Sequence, residues 1–203
     1  MPVDRGFFMR DPLNCARMLV GCELLWRGCG GIIVETEAYS VRDDEACHTF
    51  SRPSSRHFVE IHPPGTAYVY LNYGVHWLLN FLVKGGAEDG FVLIRALEPT
   101  HGTRAMYRRR KTDAFTQLCS GPGKLTQALG VDGSRHGLDC FRGKLLTLRS
   151  AAFAPRIVQT PRIGISKAAG LPWRFYLEGS AHVSAQRQTP DLQKNIGHFK
   201  SYT

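Results

Sequence analysis

The spacing of apolar positions changes several times along the chain, and each change predicts an element. After Pro12, "NCARMLVGCELLWRG" (14–28) opens on the capping-type Asn14 and carries Ala16, Leu19, Val20 and Leu24 at helix-compatible intervals. A short helix running into a strand or turn near Gly28 is expected. From Ile32 the period becomes two. In "IIVETEAY" (32–39), strand geometry places Ile32, Val34, Thr36 and Ala38 on one face and Ile33, Glu35, Glu37 and Tyr39 on the other. The polar, Arg-rich stretch 40–62 reads as a long loop. "TAYVYLNYG" (66–74) is strand-like, with Tyr68, Tyr70 and Asn72 on one face and Gly74 admitting a bend.

"VHWLLNFLV" (75–83) and "FVLIRALEP" (91–99) flank "KGGAEDG" (84–90), whose composition predicts a hairpin with a loop longer than the tight two-residue type. A symmetric pairing of Val83 with Val92 would set Asn80 opposite Arg95, two polar side chains inside an apolar sheet. Residues 100–118 look helical and basic. In "LCSGPGKLTQALGV" (118–131), a Gly-Pro-Gly turn precedes Leu125, Ala128 and Leu129, which predicts a turn delivering a short helix. "GKLLTLRS" and the region from "RIVQTPRIGI" to "WRFYLEGSAHVS" read as further strands between loops. One domain is expected over residues 5–187, and 188–203 reads as a loosely ordered tail.

The formal charge of +9, from 26 Lys and Arg against 17 Asp and Glu, favours a polyanionic partner through counterion release and steering. It does not choose among nucleic acid, an anionic membrane surface and a merely basic soluble surface. The longest apolar run, 75–83, is interrupted by His76 and Asn80 and falls far short of the roughly 20 residues of a membrane-spanning helix. No membrane partner is expected. With no secretory pattern at the N-terminus, the expected location is the cytoplasm, or the nucleoid of a bacterium. The six cysteines form no CxxC pair and read as reduced thiols; no metal or cofactor is called for.

Two carboxylates in a core-like strand are the first candidates for chemistry. Glu35 and Glu37 on one face resemble a glycosidase pair, although spacing alone does not assign acid and base, and the same pattern fits a wetted face. Tyr39, His48, Tyr68 and Tyr70 suit a pocket for a flat base or, equally, ordinary core. Arg95 inside an apolar run needs a compensating acid, either at a reactive site or in a structural ion pair. Tyr73 beside Gly74 suits a wedge between base steps if the chain turns there, and core packing otherwise. "SGPGK" (120–124) has exposed amides and Lys124 but lacks the spacing of a P-loop. Lys84 and Lys124 lie outside apolar runs that would activate them for Schiff-base chemistry.

Together "IVETEAY", "DDEACH" (43–48), "GTAYVYLNYG" (65–74), "LLNF" (78–81), "VLIRALEP" (92–99) and "CSGPGKLTQALG" (119–130) resemble the alkyladenine DNA glycosylase family, also called methylpurine or 3-methyladenine glycosylases, of the mammalian type. The resemblance implies an α+β single domain with a curved antiparallel β-sheet core, surrounding helices and long loops. It implies a monofunctional base-excision repair enzyme, without a lyase step, that flips an alkylated or deaminated purine and hydrolyses its N-glycosidic bond to leave an abasic site. Glu37 matches the general base and Arg95 the arginine that helps hold the water. Tyr39 matches one aromatic face of the base pocket, His48 and Tyr70 the other, and the His48 amide a donor to the base edge. Asn80 matches the residue that disfavours the guanine amino group, Tyr73 the inserted residue and Leu93 its support.

Damaged double-stranded DNA is the implied partner, the chain acting as a monomer and handing its product to downstream abasic-site repair enzymes. Arg52, Arg56, Arg104, Arg108 and Lys124 are candidate phosphate contacts. Glu35 is expected to be a structural or DNA-proximal partner of an arginine. Cys47, Trp77, Val75 and Phe91 depart from the pattern beside motif residues and bear on substrate breadth. The alternative is a non-catalytic module that binds damaged DNA.

Overall fold

A computed structural model describes residues 1–143 and 145–184; the expected tail at 188–203 lies outside the described residues. The first helix, α1 (Pro12–Leu19), is capped by Asp11, whose side chain accepts from the Asn14 amide, with Pro12 at the first helical position. Asn14, expected as the cap, lies inside the helix. Proline takes the first position without loss because that N–H has no intrahelical partner. Strands β1 (Glu23–Trp26) and β2 (Cys29–Ser40) follow.

The stretch expected as a loop after β2 instead contains α2 (His48–Ser51) and α3 (Pro53–Ile61). Pro53 starts α3, and its inward stripe of Ser55, Phe58 and Val59 is short enough to be masked by the surrounding charges. Next come β3 (Ala67–Asn72), β4 (His76–Val83), β5 (Gly90–His101), α4 (Thr103–Arg110), α5 (Pro122–Leu129), β6 (Leu146–Arg149), β7 (Ile157–Thr160) and β8 (Arg174–Leu177).

The eight strands form one sheet in the order β3-β4-β5-β2-β1-β6, with β8 joined to β2 and β7 to β8, and the strand pairings are antiparallel. The curved sheet that the resemblance implied is corrected: this sheet is open, neither curled nor closed. Its end strands β3 and β6 do not pair with each other. The physical reason lies in β2, whose first half pairs with β1 over residues 29–32 and whose second half pairs with β8 over 35–37, so the sheet branches there.

That branch coincides with an irregular register. Between β2 and β5, Ile33 opposes Leu97, Glu35 opposes Ala96 and Thr36 opposes Ile94, which leaves Val34 and Arg95 without opposite numbers. Bulges of this kind bend a strand and re-aim its side chains. Ile33 therefore joins Ala38 in the main core rather than sharing a face with Glu35, as strict alternation predicted. The 75–99 hairpin is also shifted by two residues: Val83 pairs with Gly90, and Asn80 opposes Leu93 instead of Arg95.

One face of the sheet carries Val69, Leu79, Phe81, Val92 and Ile94 into the main core, beside the buried residues of α1, α4 and α5. Its other face carries Tyr68, Leu82 and Phe91 against Phe58 and Val59 of α3. Neighbouring residues on that second face, too polar to belong to a core, are free to line a cavity.

Candidate active site

A cavity of about 650 Å³ opens on this second face, lined by Tyr39, His48, Tyr70, Tyr73, Asn80 and Arg95 among others. Strand alternation brings the set together: β2 contributes Tyr39, β3 Tyr70, β4 Asn80, and β5 Leu93 and Arg95, while α2 starts at His48 and the turn between β3 and β4 holds Tyr73.

Glu37 lies just behind the lining and is fully buried. Its Oε2 accepts from the Tyr39 hydroxyl at 2.8 Å and from Arg95 Nη1 at 3.2 Å, and its Oε1 accepts from the Ile163 amide at 2.8 Å. Glu35, equally buried, is the more heavily bonded of the two. Its Oε1 accepts from Arg95 Nε at 3.0 Å, Arg174 Nε at 2.6 Å and Ser184 Oγ at 2.8 Å, and its Oε2 accepts from the Ser184 amide at 2.6 Å. Arg95 is thus the bridge between the carboxylates, and its charge is met by two acids, which is the condition for burying a guanidinium at all.

His48 Nδ1 lies 2.9 Å from the Tyr68 hydroxyl, which also meets Ser55 Oγ at 2.8 Å. Burial lowers the His48 imidazole to about 4, and the charge of Arg52 adds to the effect, so the ring is neutral near pH 7. The His48 and Tyr70 rings pack edge to face at 4.3 Å between centroids. As the first residue of α2, His48 has a main-chain N–H that the helix itself cannot satisfy. Asn80 donates from Nδ2 to the Tyr68 carbonyl at 3.1 Å, which fixes its amide in the wall.

Tyr73 is 87% exposed at the tip of the β3–β4 hairpin, with φ of 49°, beside exposed Val75. Leu93 is buried in the sheet, opposite Asn80 on one side and Glu37 on the other. Of the candidate phosphate contacts, Arg52, Arg104 and Arg108 are exposed. Arg56 is committed to the Thr49 and Phe50 carbonyls. Lys124 bonds Gln117 and Ser120, at the edge of a second, smaller cavity.

Four contributors were not singled out from the sequence: the Ile163 amide, Ser184, Arg174 and the ion pair of Arg162 with Asp44. The last two arginines look like any other of the chain's 26 cations until the fold brings them within reach of an acid. Among the described residues, no group of three or more His, Cys, Asp or Glu is placed to hold a metal. Among the same residues, no helix is long and apolar enough to cross a membrane.

The open antiparallel sheet thus carries an aromatic-lined cavity on one face, with a buried carboxylate–arginine cluster behind it. The model for methylpurine-DNA glycosylases matches residues 6–181, and the chain belongs to that family. Relatives include bacterial proteins provisionally named as 3-methyladenine DNA glycosylases. One from Rhodopseudomonas palustris strain BisB18 is 49% identical over 182 residues, 90% of each chain. Another from strain HaA2 of the same species is 47% identical over 183 residues, again 90% of each. A third from Rhizobium etli is 47% identical over 184 residues, covering 89% of this chain and 87% of the relative.

Proposed function

We propose that Glu37 activates the water that releases a damaged purine held between Tyr39 and the His48–Tyr70 wall. The reaction class follows from the family: the chain is a base-excision-repair DNA glycosylase acting on alkylated purines, a hydrolase that leaves an abasic site. That it works in the manner of the mammalian-type enzymes, and that it extends to deaminated purines, belongs to this proposal.

The observation that carries the role of Glu37 is its hydrogen-bond inventory. A carboxylate offers about four acceptor positions. Tyr39 and Arg95 use two on Oε2 and Ile163 uses one on Oε1, which leaves one position for a water. Glu35 already takes four donors, three on Oε1 and one on Oε2, from Arg95, Arg174 and Ser184. In the proposed step the water oxygen bonds to the sugar C1′, its proton passes to Glu37, and the glycosidic electron pair leaves with the base. An N3- or N7-alkylated purine is already cationic, so it departs as a neutral ring without a general acid. The neutral His48 ring lies against that cation without repelling it.

Duplex DNA is the substrate this site would engage, since a base inside a stack cannot reach a carboxylate behind a cavity wall unless it is flipped out. Tyr73 at the hairpin tip would occupy the gap, with Leu93 set deeper in the sheet, and Arg52, Arg104 and Arg108 would meet phosphates. The direct test is an end-labelled duplex carrying one 1,N6-ethenoadenine, cleaved with alkali after incubation, for wild type and Glu37→Gln. Scission only after alkali, and only with wild type, supports the assignment. Unchanged scission by Glu37→Gln removes it.

A further inference from the structure

Behind the two walls of the cavity lies one ion pair that lines none of it. Arg162 donates from Nη1 to Asp44 Oδ2 at 2.6 Å and from Nη2 to Asp44 Oδ1 at 2.8 Å, and both side chains are 0% exposed. Nη1 also donates to the Ala38 carbonyl at 2.9 Å, and Nη2 to the Ala168 carbonyl at 3.4 Å. The guanidinium carbon sits 4.6 Å from the Tyr39 ring centroid and 5.0 Å from that of Trp173. One cation therefore touches β2, the ring of Tyr39 and the segment that carries the Ile163 amide to Glu37.

Asp44 makes the matching connections on the far side. Its Oδ2 accepts from the Ser40 amide at 3.2 Å, its Oδ1 from the Ala46 amide at 3.1 Å, and its carbonyl from the Cys47 amide at 2.9 Å. These bonds shape the turn that ends in His48. The pair thus spans from the Tyr39 wall, through the backing of the slot, to the His48 wall, joining residues 118 positions apart in sequence.

We propose that Arg162 and Asp44 are positioning residues that set the gap between Tyr39 and His48 and the aim of Glu37. This rests on the reading of the cavity as the base pocket. The pair touches no position a substrate would occupy, so it acts through Tyr39, His48 and the Ile163 amide. Arginine is required because a planar fork makes the bidentate contact, reaches a backbone carbonyl and stacks on a ring at once; a lysine ammonium cannot combine these. A displacement of about 1 Å in such a site can cost on the order of 100-fold in rate.

The test compares Arg162→Lys and Asp44→Asn with wild type in three measurements. Single-turnover excision of 1,N6-ethenoadenine is expected to fall by about 10- to 100-fold in each. The double variant should be no slower than the worse single one, because the two act as a unit. Affinity for a duplex holding a tetrahydrofuran abasic analogue, which leaves the slot empty, should stay within about twofold.

In the Glu37→Gln background, the emission of bound 1,N6-ethenoadenine reports how the flipped base is stacked. Adding Arg162→Lys should change it. Wild-type excision by a folded Arg162→Lys, or an equal loss of affinity for the abasic analogue, overturns the proposal. If Arg162→Lys fails to fold, the near-isosteric Asp44→Asn decides by the same criteria. A wild-type chain that excises nothing counts against the base-excision reading, and the emission comparison still decides the positioning role.

Discussion

The Tyr39 hydroxyl donates to Glu37 Oε2 at 2.8 Å, across one strand repeat on the cavity face of β2. Burial pushes the Tyr39 phenol well above its ordinary range, and the Glu37 carboxylate adds to the shift, so the proton remains on Tyr39 at working pH. The same residue is wall and donor. Tyr39→Phe keeps the ring and loses the bond, and single-turnover excision should fall on the order of tenfold while lesion-duplex affinity is retained. Tyr39→Leu should lose both. A Phe variant that excises at the wild-type rate would leave the hydroxyl with no part in the reaction.

Glu35 and Glu37 share Arg95 but differ in what their loss exposes. Without Glu35, Arg174 loses its acid, and among the described residues Arg95 keeps the 3.2 Å ion pair with Glu37 and a 3.4 Å hydrogen bond to Ser184 Oγ. Glu35→Ala should therefore destabilise the fold by about 3–5 kcal/mol, the usual cost of stranding a buried charge. Glu37→Gln leaves Arg95 paired with Glu35 and should lie well below that while abolishing excision. Urea unfolding of both variants checks the order, and a reversal would exchange their roles.

Part of this site is legible in the sequence. A period of two puts Glu35, Glu37 and Tyr39 on one face, and the family motifs point to Arg95, His48, Tyr70 and Asn80. What alternation could not supply is the bulge: Arg95 has no opposite number on β2, so a regular hairpin placed it against Asn80 when it faces two acids. Arg162, Arg174 and Ser184 escaped because each meets its partner more than 100 residues away. Side chains that meet only through the fold leave no local pattern. The sheet's openness was hidden for a similar reason, since a period-two run shows that a strand exists but not that β2 passes from β1 to β8 midway.

Tyr73 presents a large aromatic ring to solvent at a left-handed position, an arrangement that packing does not reward. Replacing it should cost little in the folded state. Tyr73→Ala is expected to change unfolding free energy by less than about 0.5 kcal/mol, yet to weaken excision from duplex far more than from a single-stranded oligonucleotide, where no gap needs filling. Titration of both substrates under single-turnover conditions measures this. An equal effect on the two would count against insertion.

His48 gives the site a pH signature. Its imidazole is lowered from 6.5 to about 4, first because burial strips water from the charged ring and then through Arg52. Between those values the unfolded chain binds a proton that the folded chain refuses, so stability rises with pH in that window. This contribution is fully present above 6.5 and is lost as pH falls toward 4. His62 is shifted the same way, by burial and by His136 and His57, so the informative quantity is the difference between wild type and His48→Asn. Urea unfolding across that interval should show a shallower pH dependence for the variant. Parallel curves would mean that His48 titrates alike in both states, and the case for a neutral ring facing a cationic purine would fall with it.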